Sequence, residues 1–127
     1  MMNNDLTLKT APFAGYTPDD VRRRLAENAA ESELALAMAL VHEKVGMLAH
    51  ECDETDDFWI HYAYGIWYEL ECELTERILS VLADENKTKG ANFALTGKGT
   101  HYLIEPFMRR NGYTDNAGWW RKDKRDK

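Results

Sequence analysis

The sequence predicts an all-α protein, a bundle of three or four helices in which two long central helices run antiparallel. Two apolar stripes with helical spacing, within residues 34–52 and 59–81, predict the long helices. A strong helix-start pattern at Thr17 and Pro18 predicts a shorter helix before them. The 127 residues fit one domain with a single core.

The segment YTPDD, residues 16–20, predicts where the first helix begins. Thr17 is suited to the N-cap and Pro18 to the first helical position, and two aspartates follow near the positive end of the helix dipole. The apolar stripe then lapses until Leu34, so we expect this helix to bend or break near Asn28. Residues 1–15 are polar and irregular, and we expect them to form a flexible N-terminal arm before a helical domain of residues 16–120.

The second helix is predicted from Glu31 to about Cys52. Its main apolar stripe has spacings of three and four and consists of Leu34, Met38, Val41, Val45, Leu48 and Cys52. A second, narrower stripe lies roughly opposite and consists of Leu36, Leu40 and Met47. Because apolar surface on two sides needs two packing neighbours, this pattern favours a homodimer or a second neighbour within the chain.

The third helix is predicted to start at Thr55 or Asp56 and to run to about Asp84. One side is apolar and consists of Trp59, Ile60, Ala63, Ile66, Trp67, Leu70, Leu74, Ile78 and Val81. The other sides are aromatic in the first half, at Phe58, Tyr62, Tyr64 and Tyr68, and acidic in the second, at Glu69, Glu73 and Glu76. Like charges at this spacing repel, so we expect a group outside the helix to compensate them.

Two structures compete for the next segment. The alternation around TGKG permits a short hairpin near residues 92–105, whereas Thr100 can cap a helix that is kinked at Pro106 and ends at Gly112. We favour the helix. We expect residues 121–127, RKDKRDK, to remain a solvated basic tail.

Charge is divided unevenly along the chain, whose net charge is -6. Residues 1–76 hold sixteen acids against five bases, and residues 77–127 hold eleven bases against six acids. The chain has two cysteines, an N-terminus without the features of a secretory signal, and no apolar run near the roughly 20 residues of a membrane span. These features predict a cytoplasmic protein with reduced thiols and no membrane partner.

The segment HECDETDDFWIH, residues 50–61, has the residue types of a metal site. His50 and Glu54 have the spacing of two ligands on one helical face, but Cys52 belongs to the buried stripe and His50 to the opposite side. We therefore favour an acidic corner between two helices and expect no metal and no other cofactor. The alternative is a small metal-dependent or acid–base enzyme with its site around His50, His61, Glu69 and Cys72.

Three other motifs depart from the patterns that they resemble. HEKVG begins like a zincin motif, but Gly46 stands where the second histidine is required, and GKGT lacks the spacing of a phosphate loop. FALTGKGTHYLIE resembles the second wing strand and following helix of winged-helix transcription regulators, which implies a DNA-binding fold. The preceding helix is acidic rather than a basic recognition helix, so we do not expect direct nucleic-acid binding, and a winged-helix-like transcription regulator is kept as a further alternative.

The function that this charge pattern favours is a non-enzymatic interaction protein whose acidic face binds a basic partner surface. Residues 43–76 contain ten acids against Lys44 alone. This concentration of acidic residues is similar to that of anti-restriction and anti-CRISPR inhibitors, small acidic proteins that occupy the nucleic-acid channel of another protein. The predicted contact residues are Glu51, Asp53, Glu54, Asp56, Asp57, Glu69, Glu73 and Glu76.

Overall fold

The computed structural model describes residues 6–28, 30–86, 103–116 and 119–122. In chain order its elements are α1 (Pro18–Glu27), α2 (Glu31–Cys52), α3 (Phe58–Asn86), α4 (Glu105–Arg110), β1 (Tyr113–Asn116) and β2 (Trp119–Lys122). The described residues are mostly helical, as predicted, and a two-stranded hairpin is added to the helices. Within them, no helix combines the length and the apolar character that a membrane span needs.

Helix α1 begins where the sequence predicts, and it ends at Glu27, beside Asn28 where a bend or break was expected. Thr17 Oγ1 accepts a hydrogen bond from the backbone N–H of Asp20 at 3.3 Å, and the Asp20 carboxylate accepts one from the Thr17 N–H at 3.0 Å. This reciprocal capping box satisfies two backbone donors at the start of the helix. The N–H of Asn28 then donates to Arg24 O at 2.8 Å and closes the last turn.

Helices α2 and α3 lie against each other in opposite directions. Near the corner Cys52 Sγ donates to Ile60 O at 3.9 Å, and farther along His42 Nδ1 lies 2.5 Å from Glu71 Oε2. The predicted stripes face the core, whose members include Leu34, Met38, Val41, Val45 and Leu48 from α2, and Ala63, Trp67, Leu70, Leu74 and Ile78 from α3.

The start of α3 differs from the prediction. The helix begins at Phe58 rather than at Thr55 or Asp56, because Asp57 Oδ1 accepts the N–H of Trp59 at 2.9 Å and Thr55 Oγ1 accepts the N–H of Asp57 at 3.1 Å. These bonds hold residues 55–57 outside the helix. Trp59, which the sequence placed on the apolar side, lies in the first turn of this helix and is 53% exposed.

The N-terminal segment packs onto the body from Leu8 onward. Leu8 and Phe13 belong to the buried core, and the segment is closed by hydrogen bonds from Leu8 N to Tyr16 O at 2.9 Å and from Gly15 N to Leu8 O at 2.7 Å. Leu8 also shares a small pocket with Leu40 and Met47 of α2. The chain itself therefore provides part of the second neighbour that α2 requires.

Helix α4 ends as predicted, but the chain beyond it forms strands. Gly112, with φ of 93°, follows the last turn, and a left-handed backbone there favours glycine. Strands β1 and β2 pair antiparallel, with Tyr113 opposite Lys122. Arg121 and Lys122, predicted to start the solvated tail, therefore lie in β2. Residues 92–102, and with them the competing hairpin and the Thr100 cap, lie outside the described residues.

The hairpin docks on α2 through Trp119. Trp120 is buried, and the Trp119 ring lies directly over Gly46, where any β-carbon would overlap it. His42 meets the same ring edge-on, with centroids 5.8 Å apart. Arg121 Nη1 lies 3.5 Å from the Glu43 carboxylate. A tertiary contact rather than a local pattern holds β2 in place.

Candidate interaction surface

Five carboxylates surround the turn between α2 and α3, and we call them the acidic corner: Glu51, Asp53, Glu54, Asp56 and Asp57. All five are exposed. The end of α2 sets their positions, since Asp53 N donates to Ala49 O at 3.3 Å and Glu54 N donates to Glu51 O at 2.9 Å. The turn therefore brings acids from the end of one helix beside acids at the start of the next.

The acidic corner has little compensation within the described part of the chain. Glu54 lies 3.8 Å from His50 Nε2, and both side chains are exposed. In the same part of the chain, Glu51, Asp53, Asp56 and Asp57 form no salt bridge to a lysine or arginine. The negative charge therefore faces solvent.

The acidic corner also affects the thiol of Cys52, which is partly buried beside it. Burial raises the pKa of its thiol, and the neighbouring carboxylates of Asp53 and Glu51 raise it further. Because the thiolate is the reactive form of cysteine, this environment disfavours reaction at Cys52.

Three exposed aromatic residues follow the acidic corner, and we call them the aromatic cluster: Phe58, Trp59 and Tyr62. Their exposed fractions are 65%, 53% and 46%. The ring centroids lie 5.1 Å apart for Phe58 and Trp59, 6.0 Å for Phe58 and Tyr62, and 5.8 Å for Trp59 and Tyr62. The cluster was not among the predicted contact residues. Its signal in the sequence was the excess of aromatic residues in the first half of the third helix.

The three predicted contact residues farther along α3 are not equivalent. Glu69 and Glu76 are exposed, but Glu73 accepts two bonds from Arg22 of α1, from Nε at 2.8 Å and from Nη2 at 2.9 Å. The Glu73 carboxylate accordingly raises the pKa of Arg22. Arg22 is thus the group outside α3 that was expected to compensate the repeated glutamates. It neutralises Glu73 within the molecule, so this acid is less available to a partner.

The residues of the alternative enzyme site are engaged in different local contacts. His61 Nε2 lies 2.8 Å from Thr55 O, whereas His50 lies beside Glu54. Burial is the main cause that raises the pKa of the Cys72 thiol, which disfavours a thiolate ligand or nucleophile. Across the described ranges, three or more His, Cys, Asp or Glu side chains are nowhere grouped so that they could hold a metal ion.

One further polar pair lies between the helices and was not predicted. His42 and Glu71 are both mostly buried and are in direct contact, with the Trp119 ring against the imidazole. In the sequence, His42 is the first residue of the zincin-like segment HEKVG, but in the structure its side chain contacts the carboxylate of Glu71 on α3. This pair contributes to the junction of α2, α3 and β2.

Comparison of the chain with protein-family models, with curated proteins and with solved structures gave no match. Function is therefore argued from the surface of the molecule.

Proposed function

We propose that this protein is a non-enzymatic interaction protein whose acidic corner binds a basic surface of another protein. The observation that carries the proposal is the exposure of Glu51, Asp53, Asp56 and Asp57 without a basic partner among the described residues. Carboxylates that share one short turn of the chain repel one another, and a cationic surface relieves that repulsion on binding.

The α3 acids extend this surface unequally. Glu69 and Glu76 are exposed, but the Arg22 guanidinium already occupies Glu73. A basic partner therefore gains more from the acidic corner than from Glu73. Inhibitors that imitate nucleic acid, as anti-restriction and anti-CRISPR proteins do, are one form that such a protein takes. Only the charge pattern supports that form here.

A homodimer is a separate part of the proposal. Met47 is 51% exposed on α2, and the stacked Tyr64 and Tyr68 rings lie 5.8 Å apart on α3 with Tyr68 exposed. Leu36 and Leu40, which belonged to the same predicted stripe, instead pack partly against the core of their own chain. The apolar area left for a second copy is therefore smaller than the sequence indicated.

The acidic corner is tested by charge reversal at single positions. Asp53→Lys and Asp56→Lys alter side chains without a capping hydrogen bond, unlike Asp57, which caps α3. We expect each to weaken binding to an oligolysine peptide, more strongly at about 0.05 M than at about 0.2 M salt, because salt screens exposed charges. Calorimetric titration measures both affinities.

Glu27→Lys is the matched control, because it makes the same change in net charge at the far end of α1. We expect it to have a smaller effect than either corner variant. Equal losses for all three variants would show that the peptide responds to net charge alone, and the assignment of the acidic corner would be wrong.

A further inference from the structure

The aromatic cluster presents large ring surfaces to solvent beside the acidic corner. Phe58, Trp59 and Tyr62 contact one another in the first turns of α3 and are largely exposed, whereas the fully buried residues of this helix begin at Ala63. Exposed aromatic rings grouped in this way are typical of an interaction site. Because these rings lie beside carboxylates that have little compensating positive charge, the surface favours a ligand group that is both positively charged and able to stack on a ring.

Rings and carboxylates together suit an arginine side chain. The guanidinium is planar, so it can stack on a ring face while its edge donates hydrogen bonds to a carboxylate. Lysine has a compact and strongly hydrated charge, which stacks less readily and donates without the bidentate geometry. A surface of this composition therefore distinguishes the two cations.

The protein already uses this combination twice within its own fold. The Arg24 guanidinium lies 4.7 Å from the centre of the Phe13 ring while its Nε donates to Glu33 at 2.6 Å. Arg110 lies 5.4 Å from the Phe107 ring centre and donates to both carboxylate oxygens of Glu31, at 2.7 and 2.8 Å. The aromatic cluster and acidic corner contain the ring and carboxylate of such an arrangement, and the arginine would come from outside.

We propose that the aromatic cluster and the acidic corner form one surface that receives arginine side chains from a basic segment of a partner protein. The inference rests on the proposed function and adds the identity of the cation. A second copy of this chain is a poorer occupant, because a two-fold contact places the same patch against itself and would set one acidic corner beside another. Charge complementarity favours the basic segment.

Two peptides of equal charge test the preference, one of nine arginines and one of nine lysines. We expect the arginine peptide to bind the wild-type protein about fivefold more tightly, as two or more exposed cation–π contacts would produce. The variant F58L/W59L/Y62L keeps apolar side chains and removes the rings, so it should lose the preference while it still binds both peptides. Y64L/Y68L removes the other stacked pair on α3 and should keep it.

A second measurement locates the contact. In a ¹H–¹⁵N spectrum the Trp59 indole signal is identified by its loss in Trp59→Phe, and we expect the arginine peptide to shift it. Trp67 is fully buried and serves as an internal reference that should not move. A Trp59 signal that stays fixed while the peptide binds would overturn the inference.

The other outcomes separate this inference from the proposed function. Equal binding of both peptides, or an arginine preference that survives in F58L/W59L/Y62L, would refute a role for the rings and leave the acidic corner standing. No binding of either peptide would refute both. Self-association that F58L/W59L/Y62L abolishes would assign the surface to a second copy and overturn the inference.

Discussion

The Trp119 indole lies on the backbone of Gly46, and a β-carbon at position 46 would overlap its ring. This contact joins the hairpin to the middle of α2. It also gives a packing reason for the residue at which HEKVG departs from the zincin pattern. Glycine stands there because a bulky ring needs close access to the helix.

We expect Gly46→Ala to destabilise the protein even though alanine favours helices. The added methyl must displace the Trp119 ring, and forcing extra atoms into a packed contact costs about 1–3 kcal/mol. The free energy of unfolding from urea titration measures the loss. Near-ultraviolet circular dichroism should report the displaced ring.

Gly65→Ala is the control for helix propensity. Gly65 is exposed in the interior of α3, and apart from its chain neighbours and the adjacent helix backbone nothing lies within 4 Å of a β-carbon built there. We expect a gain of up to about 1 kcal/mol, the difference between alanine and glycine inside a helix. If Gly46→Ala were stabilising to the same extent, the docking of Trp119 on α2 would be refuted.

Stability at acid pH should depend on the contact between Glu31 and Arg110. The hydrogen bond from Arg110 lowers the pKa of Glu31, and Asn111 adds a second bond from Nδ2 at 2.7 Å. A lowered folded-state pKa contributes stability that is present above the ordinary carboxyl pKa of about 4.3 and is lost as the pH falls through the lower value.

We therefore expect Arg110→Gln to reduce stability at neutral pH and to make the loss of stability below about pH 4.3 less steep. Arg109→Gln is the matched control, since Arg109 bonds Glu105 within α4 and leaves Glu31 in place. Urea titrations from about pH 7 to about pH 3 measure the slopes. Identical acid slopes for the wild type and Arg110→Gln would contradict the prediction.

We predict no stoichiometric zinc, iron or manganese in protein purified without chelator. The reason is that His50 and His61 have separate local partners, Glu54 and Thr55, and do not converge with the nearby thiols. Elemental analysis of the pure protein measures the content. About one equivalent of metal that is lost on replacing either histidine would restore the enzyme alternative.

The dimer prediction is tested through Met47. Light scattering at high micromolar concentration should give the mass of two chains, and Met47→Glu should shift it toward one, because the charge would enter the apolar contact. Phe58→Glu places the same charge on the aromatic cluster and should leave the mass unchanged. A monomer at every concentration would contradict the prediction.

Helices α1 and α2 could be predicted because their apolar stripes and their start and end signals are local in the sequence. Thr17 and Pro18 fix the start of α1, and the spacing from Leu34 to Leu48 fixes the buried side of α2. The start of α3 was placed too early, since the bonds of Thr55 and Asp57 favour a turn that the stripe does not reveal.

The hairpin and the N-terminal segment could not be predicted in the same way. In β1 a buried Tyr113 is followed by three exposed residues, so the alternation typical of a half-buried strand is missing. Trp119 is held by Gly46 of a distant helix, and Phe13 by packing that no local period expresses.

The candidate surface was predicted in part. The corner acids lie outside the apolar stripes, and the structure leaves them exposed. The compensation of Glu73 was expected, but its source was not, because Arg22 lies on another helix and no local spacing connects the two. The aromatic cluster could not be predicted, because the sequence pattern placed Trp59 on the apolar side of α3, whereas the structure leaves its side chain exposed.

The position of α2 between α3 on one side and the hairpin on another has a consequence for folding kinetics. Contacts between α2 and α3 close only the short turn at residues 53–57, whereas docking of Trp119 on Gly46 joins distant parts of the chain. Closing a long loop costs more entropy and delays the contact, so we expect the helix pair to form before the hairpin docks. Mutations that strengthen the docked hairpin should therefore slow unfolding while leaving the folding rate nearly unchanged.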